Sequence, residues 1–174
     1  MSKVKFSAAL LVAHLNVRRE KAGEEGGPVA ADIKLTGLVK SADLVDLFTS
    51  DRSAAVLEGM YDAEGNIVAG DIETLKLRTG LKSVRATLKP KGGDAVKFDG
   101  AELNMLKLTP QIGRTVEVSM RLQVNPTHGQ VADLSDLLNV EVKASLEGMQ
   151  AELDFDAKDN EGEEEQEELE GVEA

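Results

Sequence analysis

The chain has 174 residues, a net charge of −12, no cysteine and only 3% aromatic residues. This length is enough for one domain with a substantial core, and the lack of cysteine excludes disulfide bonds and thiolate chemistry. The apolar run at residues 8–13 is too short to span a membrane and no small-residue cleavage site follows it, so we expect a cytosolic protein.

The negative charge is concentrated at the C-terminal end. Residues 154–174 contain eleven acids and a single base, Lys158, which gives this segment a net charge of −10. The other 19 basic and 21 acidic residues leave a body with a net charge of −2. A run of like charges with few apolar residues cannot fold alone, so we expect a disordered acidic tail. An acidic DNA mimic would instead carry its charge on the folded surface.

Two segments of the chain occur twice. Ala42–Phe48 return as Ala132–Leu138, and Ala55–Met60 return as Ala144–Met149. The alignment continues upstream, where the matching triplets are Val4–Phe6 with Val96–Phe98 and Ile33–Leu35 with Met120–Leu122. We therefore predict two related β-β-α-β halves, residues 3–60 and 95–153, with residues 61–94 inserted between them.

The predicted fold class is α+β and mostly antiparallel β, with the two halves packed as a sandwich or a barrel. Residues 1–153 form a single duplicated domain in this prediction. Residues 154–174 follow it as the acidic tail.

The first half is predicted to contain two strands, a short helix and a third strand. Alternating apolar residues predict strands over 4–17 and 31–39, and a phase change near Leu10 indicates a bulge in the first. Ser41 is the predicted N-cap of a two-turn helix, whose apolar residues at i, i+3 and i+4 dock on the sheet. Residues 55–60 are predicted to be the third strand.

The segment between the halves is the most basic part of the chain. Residues 72–78 and 83–89 predict two strands joined into a hairpin with one apolar and one basic face. Residues 74–93 contain no acid and six bases. These are Lys76, Arg78, Lys82, Arg85, Lys89 and Lys91. Such a face suits phosphate groups and binding without base specificity; a solvated face that balances acids elsewhere is about equally favoured.

The second half is predicted to repeat the first. A strand region covers residues 98–108, a short hairpin loop follows at 111–114, and residues 116–124 alternate as the clearest strand. Leu134, Leu137 and Leu138 keep the apolar helix face of the first half, and the closing strand is predicted over 140–146. Arg18 and Arg19, at the rim of the first hairpin, extend the basic face, and Tyr61 is the best candidate for an exposed aromatic that stacks on a base.

No motif supports catalysis or metal binding. His14 and His128 have no second ligand at a spacing typical of metal sites. The repeated acid pairs of the two helices, Asp43/Asp46 and Asp133/Asp136, lie on polar helix faces, where solvation explains them better than catalysis. No phosphate-binding glycine loop or nucleophile elbow is present. We therefore expect no enzymatic activity, no metal and no cofactor.

An acidic tail behind a compact domain is typical of single-stranded-DNA-binding proteins. In them the tail competes with DNA for a basic groove and binds partner proteins by charge. This tail ends without the apolar or aromatic anchor common in the bacterial type. The residues assigned here to partner binding are Glu163, Glu164, Glu165, Glu167, Glu168, Leu169 and Val172.

Four further segments carry a resemblance to a known group of proteins. They are Asn16–Lys21, Ala31–Leu35, Leu108–Pro110 and Gly113–Val116. They resemble small β-rich phage and prophage proteins of replication and recombination cassettes. The resemblance implies a phage-encoded accessory protein of DNA metabolism in the host cytoplasm, and it supplies no catalytic residue.

The leading hypothesis is a phage-type single-stranded-DNA-binding protein, whose basic hairpin holds phosphates and whose tail gates access and recruits replication or recombination proteins. Its expected partners are single-stranded DNA and those proteins, without a membrane, and a homo-oligomer stays open. The alternative is a protein-binding module, such as a phage inhibitor of a host defence complex. A second alternative is a virion structural protein, which would form a defined large oligomer.

Overall fold

The computed structural model describes residues 4–20, 27–48, 51–78 and 80–148. These residues form seven strands, one 3₁₀ helix and two α-helices, and every strand pairing is antiparallel. The strands are β1 (Lys5–Arg19), β2 (Val29–Lys40), β3 (Leu75–Lys76), β4 (Leu81–Pro90), β5 (Val96–Gln111), β6 (Thr115–Val124) and β7 (Glu141–Gly148). The helices are the 3₁₀ helix Ser41–Leu47, α1 (Asp51–Glu58) and α2 (His128–Asp136). The predicted antiparallel β character is confirmed.

Six of the strands close into a ring of pairings. The order is β1-β2-β6-β5-β4-β7 and back to β1, and β3 adds to β5 outside this ring. Side chains that alternate inward along the strands form one apolar core, in which Phe6, Leu10 and Leu122 are at most 2% exposed. The closed ring gives each of its strands a neighbour on both sides, which satisfies backbone hydrogen bonds that an open sheet would leave at its edges.

Two strands make the closure possible because they change partners along their length. Residues 5–11 of β1 pair with β7 and residues 11–19 pair with β2. In the same way, β5 pairs with β4 through residues 96–103 and with β6 through residues 102–111. The register of β1 shifts between Val12 and His14, just beyond the predicted phase change near Leu10. Such bulges bend a strand and increase its twist, which suits the change of partner.

The pairings on the two sides of the ring correspond to one another. Phe6 on β1 lies opposite Leu146 on β7, and Phe98 on β5 lies opposite Ala86 on β4. Ala86 and Leu146 are themselves opposite each other across β4 and β7. Exchanging Phe6 with Phe98 and Ala86 with Leu146 therefore turns each of these pairings into one that the structure contains.

The β2–β6 side has the same property. Ile33 lies opposite Leu122, and Lys34 lies opposite Arg121. Lys34 and Arg121 are also the central residues of the two triplets that align in the sequence. The pairings thus relate β1 to β5, β2 to β6 and β4 to β7.

The third strand predicted for the first half is wrong. Residues 51–58 form α1, with Leu57 buried against the core, and β4 occupies the corresponding place in the ring. The second copy is a strand as predicted, because β7 lies between β1 and β4 and pairs with both. The Leu-Glu-Gly triplet that starts at Leu57 therefore lies at the end of a helix, whereas the one that starts at Leu146 lies in a strand. Tertiary context overrides the weak local preference of these residues.

The predicted basic hairpin is also wrong, since β3 and β4 do not pair with each other. Both lie on the same edge of β5, where Lys76 of β3 is opposite Lys107 and Leu81 of β4 is opposite Leu103. Only two residues of the first predicted strand are in β3. Gly80 connects the two strands so close to β5 that a Cβ there would lie 2.2 Å from the carbonyl oxygen of Leu103. This close approach brings β3 and β4 onto a single edge of β5.

The predicted helices dock through leucines. Leu44 and Leu47 of the 3₁₀ helix are buried, and so are Leu134 at the end of α2 and Leu137 just after it. Leu138, predicted on the same face, is 41% exposed because the helix has ended before it. None of the described helices is long and apolar enough to cross a membrane.

The helix starts differ from the prediction. The 3₁₀ helix has no side-chain cap, and Ser41 is buried with its backbone N–H donating to the carbonyl oxygen of Arg114 at 2.9 Å. In contrast, α2 starts at His128, earlier than the repeated segment. There Thr127 and Gln130 form a reciprocal capping box, which satisfies two backbone N–H groups at the helix start.

Replacing Gly80 with alanine will destabilise the protein by about 1–3 kcal/mol, because the added Cβ meets the backbone of β5 rather than a mobile side chain. Urea unfolding followed by circular dichroism measures this change. Gly70→Ala is the matched control, since a Cβ at Gly70 meets nothing within 4 Å. Equal stability of the two variants would contradict the placement of Gly80 against β5.

Candidate anion-binding groove

A cleft of about 470 Å³ opens on the outer face of the sheet, where β3, β5, β6 and β2 lie side by side. The charged and titratable side chains that line it are His14, Asp32, Lys34, Lys76, Lys107 and Arg121. Four of these are cations and one is an acid, which gives the lining a net charge of +3 with His14 neutral. We call this cleft the cationic groove.

Strand register puts the four cations into two cross-strand pairs. Lys34 on β2 lies directly opposite Arg121 on β6, and Lys76 on β3 lies directly opposite Lys107 on β5. Neighbouring strands are separated by about 4.8 Å, and like charges placed directly opposite each other destabilise an antiparallel pair. The folded protein therefore holds four positive charges together at a cost in stability.

Little of this charge is neutralised by the described part of the chain. No described carboxylate lies within the 4.0 Å ion-pair distance of any of the four cations. Asp32, the acid of the groove, forms an ion pair with Arg18 instead. Arg121 donates through Nε to the side-chain oxygen of Asn104 at 2.6 Å, a bond that orients its guanidinium without removing its charge.

The groove also has an apolar part. Leu77 and Met105 line it, and the side chain of Met105 is 66% exposed. Met105 lies in the bulge of β5 and has a φ of 51°, a left-handed conformation that non-glycine residues rarely adopt. An unbranched thioether at this position offers a flexible, polarisable contact to a flat ligand group.

The structure disperses the residues predicted to bind nucleic acid. Of the nine, Lys76 alone lines the cationic groove. Arg85 lies on β4, where its Nε is 2.7 Å from Asp99, and Arg18 is paired with Asp32. The remaining bases are exposed at the end of β1, beside β3, or along and after β4: Arg19, Arg78, Lys82, Lys89 and Lys91.

The expectation that Tyr61 is exposed is wrong. Its side chain is 6% exposed, and its hydroxyl donates to the carbonyl oxygen of Thr115 at 2.7 Å. The guanidinium of Arg114 lies 5.8 Å from the ring centre and is held by Glu58 at 2.8 Å. Burial raises the pKa of the Tyr61 hydroxyl, so the group stays protonated and keeps its hydrogen bond. Tyr61 thus fastens the segment after α1 to the β5–β6 hairpin.

The sequence prediction missed Lys34, Lys107 and Arg121. Each is a single outward-facing base between apolar neighbours, so none stands out in its own strand. They come together only through the register of β2, β6 and β5. One signal was available: Lys34 and Arg121 occupy equivalent positions of the aligned triplets.

The acidic tail residues assigned to partner binding lie outside the described residues; they are Glu163, Glu164, Glu165, Glu167, Glu168, Leu169 and Val172. Within the described ranges, no group of three or more His, Asp or Glu side chains could hold a metal ion. Comparison of the chain with known protein families, curated proteins and solved structures finds no match.

Replacing Tyr61 with phenylalanine will lower the free energy of unfolding by about 1 kcal/mol, the usual effect of losing one hydrogen bond. Single-stranded DNA is the partner expected from the sequence, and the substitution will not change any binding of it, because the ring is buried and does not line the groove. Thermal unfolding and fluorescence anisotropy with a labelled oligonucleotide measure the two effects. A loss of affinity without a loss of stability would show that Tyr61 contacts DNA.

Proposed function

We propose that this protein is a non-enzymatic single-stranded-DNA-binding protein of the phage type, acting in replication or recombination. The observation that carries the proposal is that one cleft contains two pairs of like-charged residues on neighbouring strands. Lys34 lies opposite Arg121, and Lys76 lies opposite Lys107. Phosphate groups between such cations replace repulsion by attraction and release counterions from the DNA.

The backbone of the strands supports this role for the groove. The Cα atoms of these cations are held at neighbouring positions of a sheet, and Asn104 orients the guanidinium of Arg121, so the positive charge is already gathered before a polyanion binds. Phosphate contacts of this kind position the ligand and carry no sequence information. Binding is therefore expected to be independent of sequence and strongly dependent on salt.

The shape of the groove favours a single strand. A cleft of about 470 Å³ has the size of a small-molecule site and takes a nucleotide rather than a double helix. Leu77 and Met105 offer an apolar surface to a base that is free of its partner strand. The groove thus combines phosphate contacts with an apolar contact, although its apolar residues are aliphatic and not aromatic.

The acidic tail fits the same proposal. Residues 154–174 carry a net charge of −10, opposite in sign to the groove. A tethered segment of this charge competes with DNA at low ionic strength, and it is free to meet a basic partner once DNA has displaced it. The proposed partners of the displaced tail are replication or recombination proteins.

The ring is proposed to consist of two β-β-α-β halves, with β4 as the third strand of the first half. The exchange symmetry of the pairings around Ala86/Leu146 and Lys34/Arg121 supports this division. Under it, Lys34 and Arg121 are counterparts that meet at the axis relating the halves. Duplication would thereby place two cations side by side in the groove.

The double variant Lys34→Gln/Arg121→Gln will bind single-stranded DNA more weakly and with a shallower salt dependence. Loss of two phosphate contacts reduces the slope of log affinity against log salt by about 1.4. Its stability will change little, because relief of the like-charge pair offsets loss of the hydrogen bond between Arg121 and Asn104. Anisotropy titrations at several salt concentrations and urea unfolding measure these changes.

The matched control for that variant is Lys40→Gln/Arg52→Gln, which removes the same charge from exposed positions outside the groove. The control will keep most of the salt slope. Equal losses in the two double variants would mean that net charge, and not the groove, determines binding. Native protein that binds no single strand at low salt would refute the proposed function.

Neutralising the tail by Gln at Glu163, Glu164, Glu165, Glu167 and Glu168 will tighten binding several-fold at low salt, and the gain will shrink as salt rises. The same five substitutions in the Lys34→Gln/Arg121→Gln background will give a smaller gain, since tail and DNA compete for these cations. Anisotropy titrations of the four proteins test this. Equal gains in both backgrounds would place the competition elsewhere on the surface.

A further inference from the structure

A third like-charge pair lies on a different part of the ring. Lys89 on β4 is directly opposite Lys143 on β7, and both side chains are exposed. Lys97 on β5 is opposite Thr87, two residues from Lys89 on the same outward face. We call the outer surface of β5, β4 and β7 around these three lysines, together with the adjoining start of β1, the second wall.

Most acids of the second wall lie beside other bases and not beside these three lysines. Asp99 accepts from Arg85 at 2.7 Å, and Glu147 lies opposite both Arg85 and Lys5. Over the described ranges, none of Lys89, Lys97 and Lys143 has a carboxylate within 4.0 Å. Glu141, the remaining acid of β7, lies opposite Leu11 at the margin of the wall.

Small polar groups fill the row beside the lysines. Ser7, Ser145 and Thr87 are cross-strand neighbours on β1, β7 and β4, and the hydroxyl oxygens of Ser7 and Ser145 are 3.1 Å apart. Hydroxyl and ammonium groups are the side-chain donors that commonly bind phosphate oxygens. On β1, the residue opposite Lys143 is Ala9, so no large side chain obstructs an extended ligand beside this lysine.

The second wall is on the opposite side of the ring from the cationic groove. In the order β1-β2-β6-β5-β4-β7, the groove is centred on β2 and β6, and the second wall on β4 and β7. The two sites use different parts of β1 and β5: His14 and Lys107 line the groove, whereas Ala9 and Lys97 lie on the second wall. A short oligonucleotide bound in the groove leaves the second wall free.

We propose that the second wall binds the phosphate backbone of a second nucleic-acid segment, so that one chain holds two segments on opposite sides of its ring. This inference rests on the proposed function of the groove. It adds a second site and implies that the protein brings strands together.

A nucleic acid fits this wall better than an acidic peptide does. The central rows expose hydroxyls, an alanine and ammonium groups. A protein partner would normally bury an aromatic or aliphatic anchor in a pocket, and these rows offer it none. A phosphate chain needs only spaced donors. Lys97 and Lys89, on adjacent strands, and Lys143, beyond them, supply donors along a path across β5, β4 and β7.

The test is the number of oligonucleotides that one full-length chain binds. Oligothymidine of about eight nucleotides, within the size range of one binding site, is titrated by calorimetry at low salt. The native chain is expected to bind two. Lys89→Gln/Lys143→Gln and Lys34→Gln/Arg121→Gln are each expected to bind one. The control Lys40→Gln/Arg52→Gln, which removes two bases from exposed positions outside both sites, is expected to bind two.

Energy transfer between donor-labelled and acceptor-labelled oligonucleotides gives a second measurement. It is expected with the native chain at limiting protein and is lost in both double variants. Sedimentation shows whether each complex contains one chain, and circular dichroism shows that the variants are folded.

Four outcomes would overturn the inference. One oligonucleotide per native chain, with affinity unchanged by Lys89→Gln/Lys143→Gln, would remove the second site and leave the proposed function intact. Two per chain in that variant as well would place the second site elsewhere. Two per chain only after the five tail glutamates are replaced by Gln would assign the wall to the acidic tail. Absence of any binding would refute the proposed function together with the inference.

Discussion

Closure of the six-stranded ring depends on the two strands that change partners. β1 and β5 each pair with one neighbour at their start and with another at their end. A straight strand keeps the same neighbours along its length, so the bulges after Val12 and after Asn104 are what allow the sheet to meet itself. This closure, with the register of the strands, sets which side chains face the core and which cations share the outer face.

The same bulges shape the cationic groove. His14 directly follows the bulge of β1 and lines the groove, and Met105 and Leu106 lie within the bulge of β5 and line it too. The bulges of β1 and β5 thus lie at the groove, next to Lys34 and Arg121 on the regular strands β2 and β6. Lys34 and Arg121 can face each other there because their own strands keep perfect register over ten residue pairs.

Much of the sheet could be predicted from the sequence, because β1, β2, β5, β6 and β7 carry enough alternating apolar residues to reveal a period of two. The failures came where sequence neighbours are not spatial neighbours. β3 and β4 are adjacent in the chain and of similar pattern, yet each pairs with β5. Residues 55–60 resemble a strand of the second half, yet they form the end of α1 and the turn after it.

The candidate site was less predictable than the fold for the same reason. Six bases within twenty residues form a conspicuous cluster in the sequence, but the structure neutralises Arg85 and points others to different parts of the surface. Lys107 and Arg121 lie far from Lys34 in the chain, and only strand register brings them together. A surface built across strands is invisible to any count of charges along the chain. Tyr61 failed as a candidate because its hydroxyl has a backbone acceptor that no local pattern reveals.

Ring closure also sets the order in which the chain can fold. Residues 5–11 of β1 pair with β7, which is the last described strand. The N-terminal half of β1 therefore has no partner strand until β7 is available. Contacts between residues so distant in sequence form slowly, because a long loop of chain must be ordered first. During synthesis, Phe6 and Leu10 stay accessible until β7 has emerged, and the chain passes through a stage with an unpaired apolar strand near its N-terminus. Its kinetic vulnerability to misassociation is therefore concentrated in the interval before the ring closes.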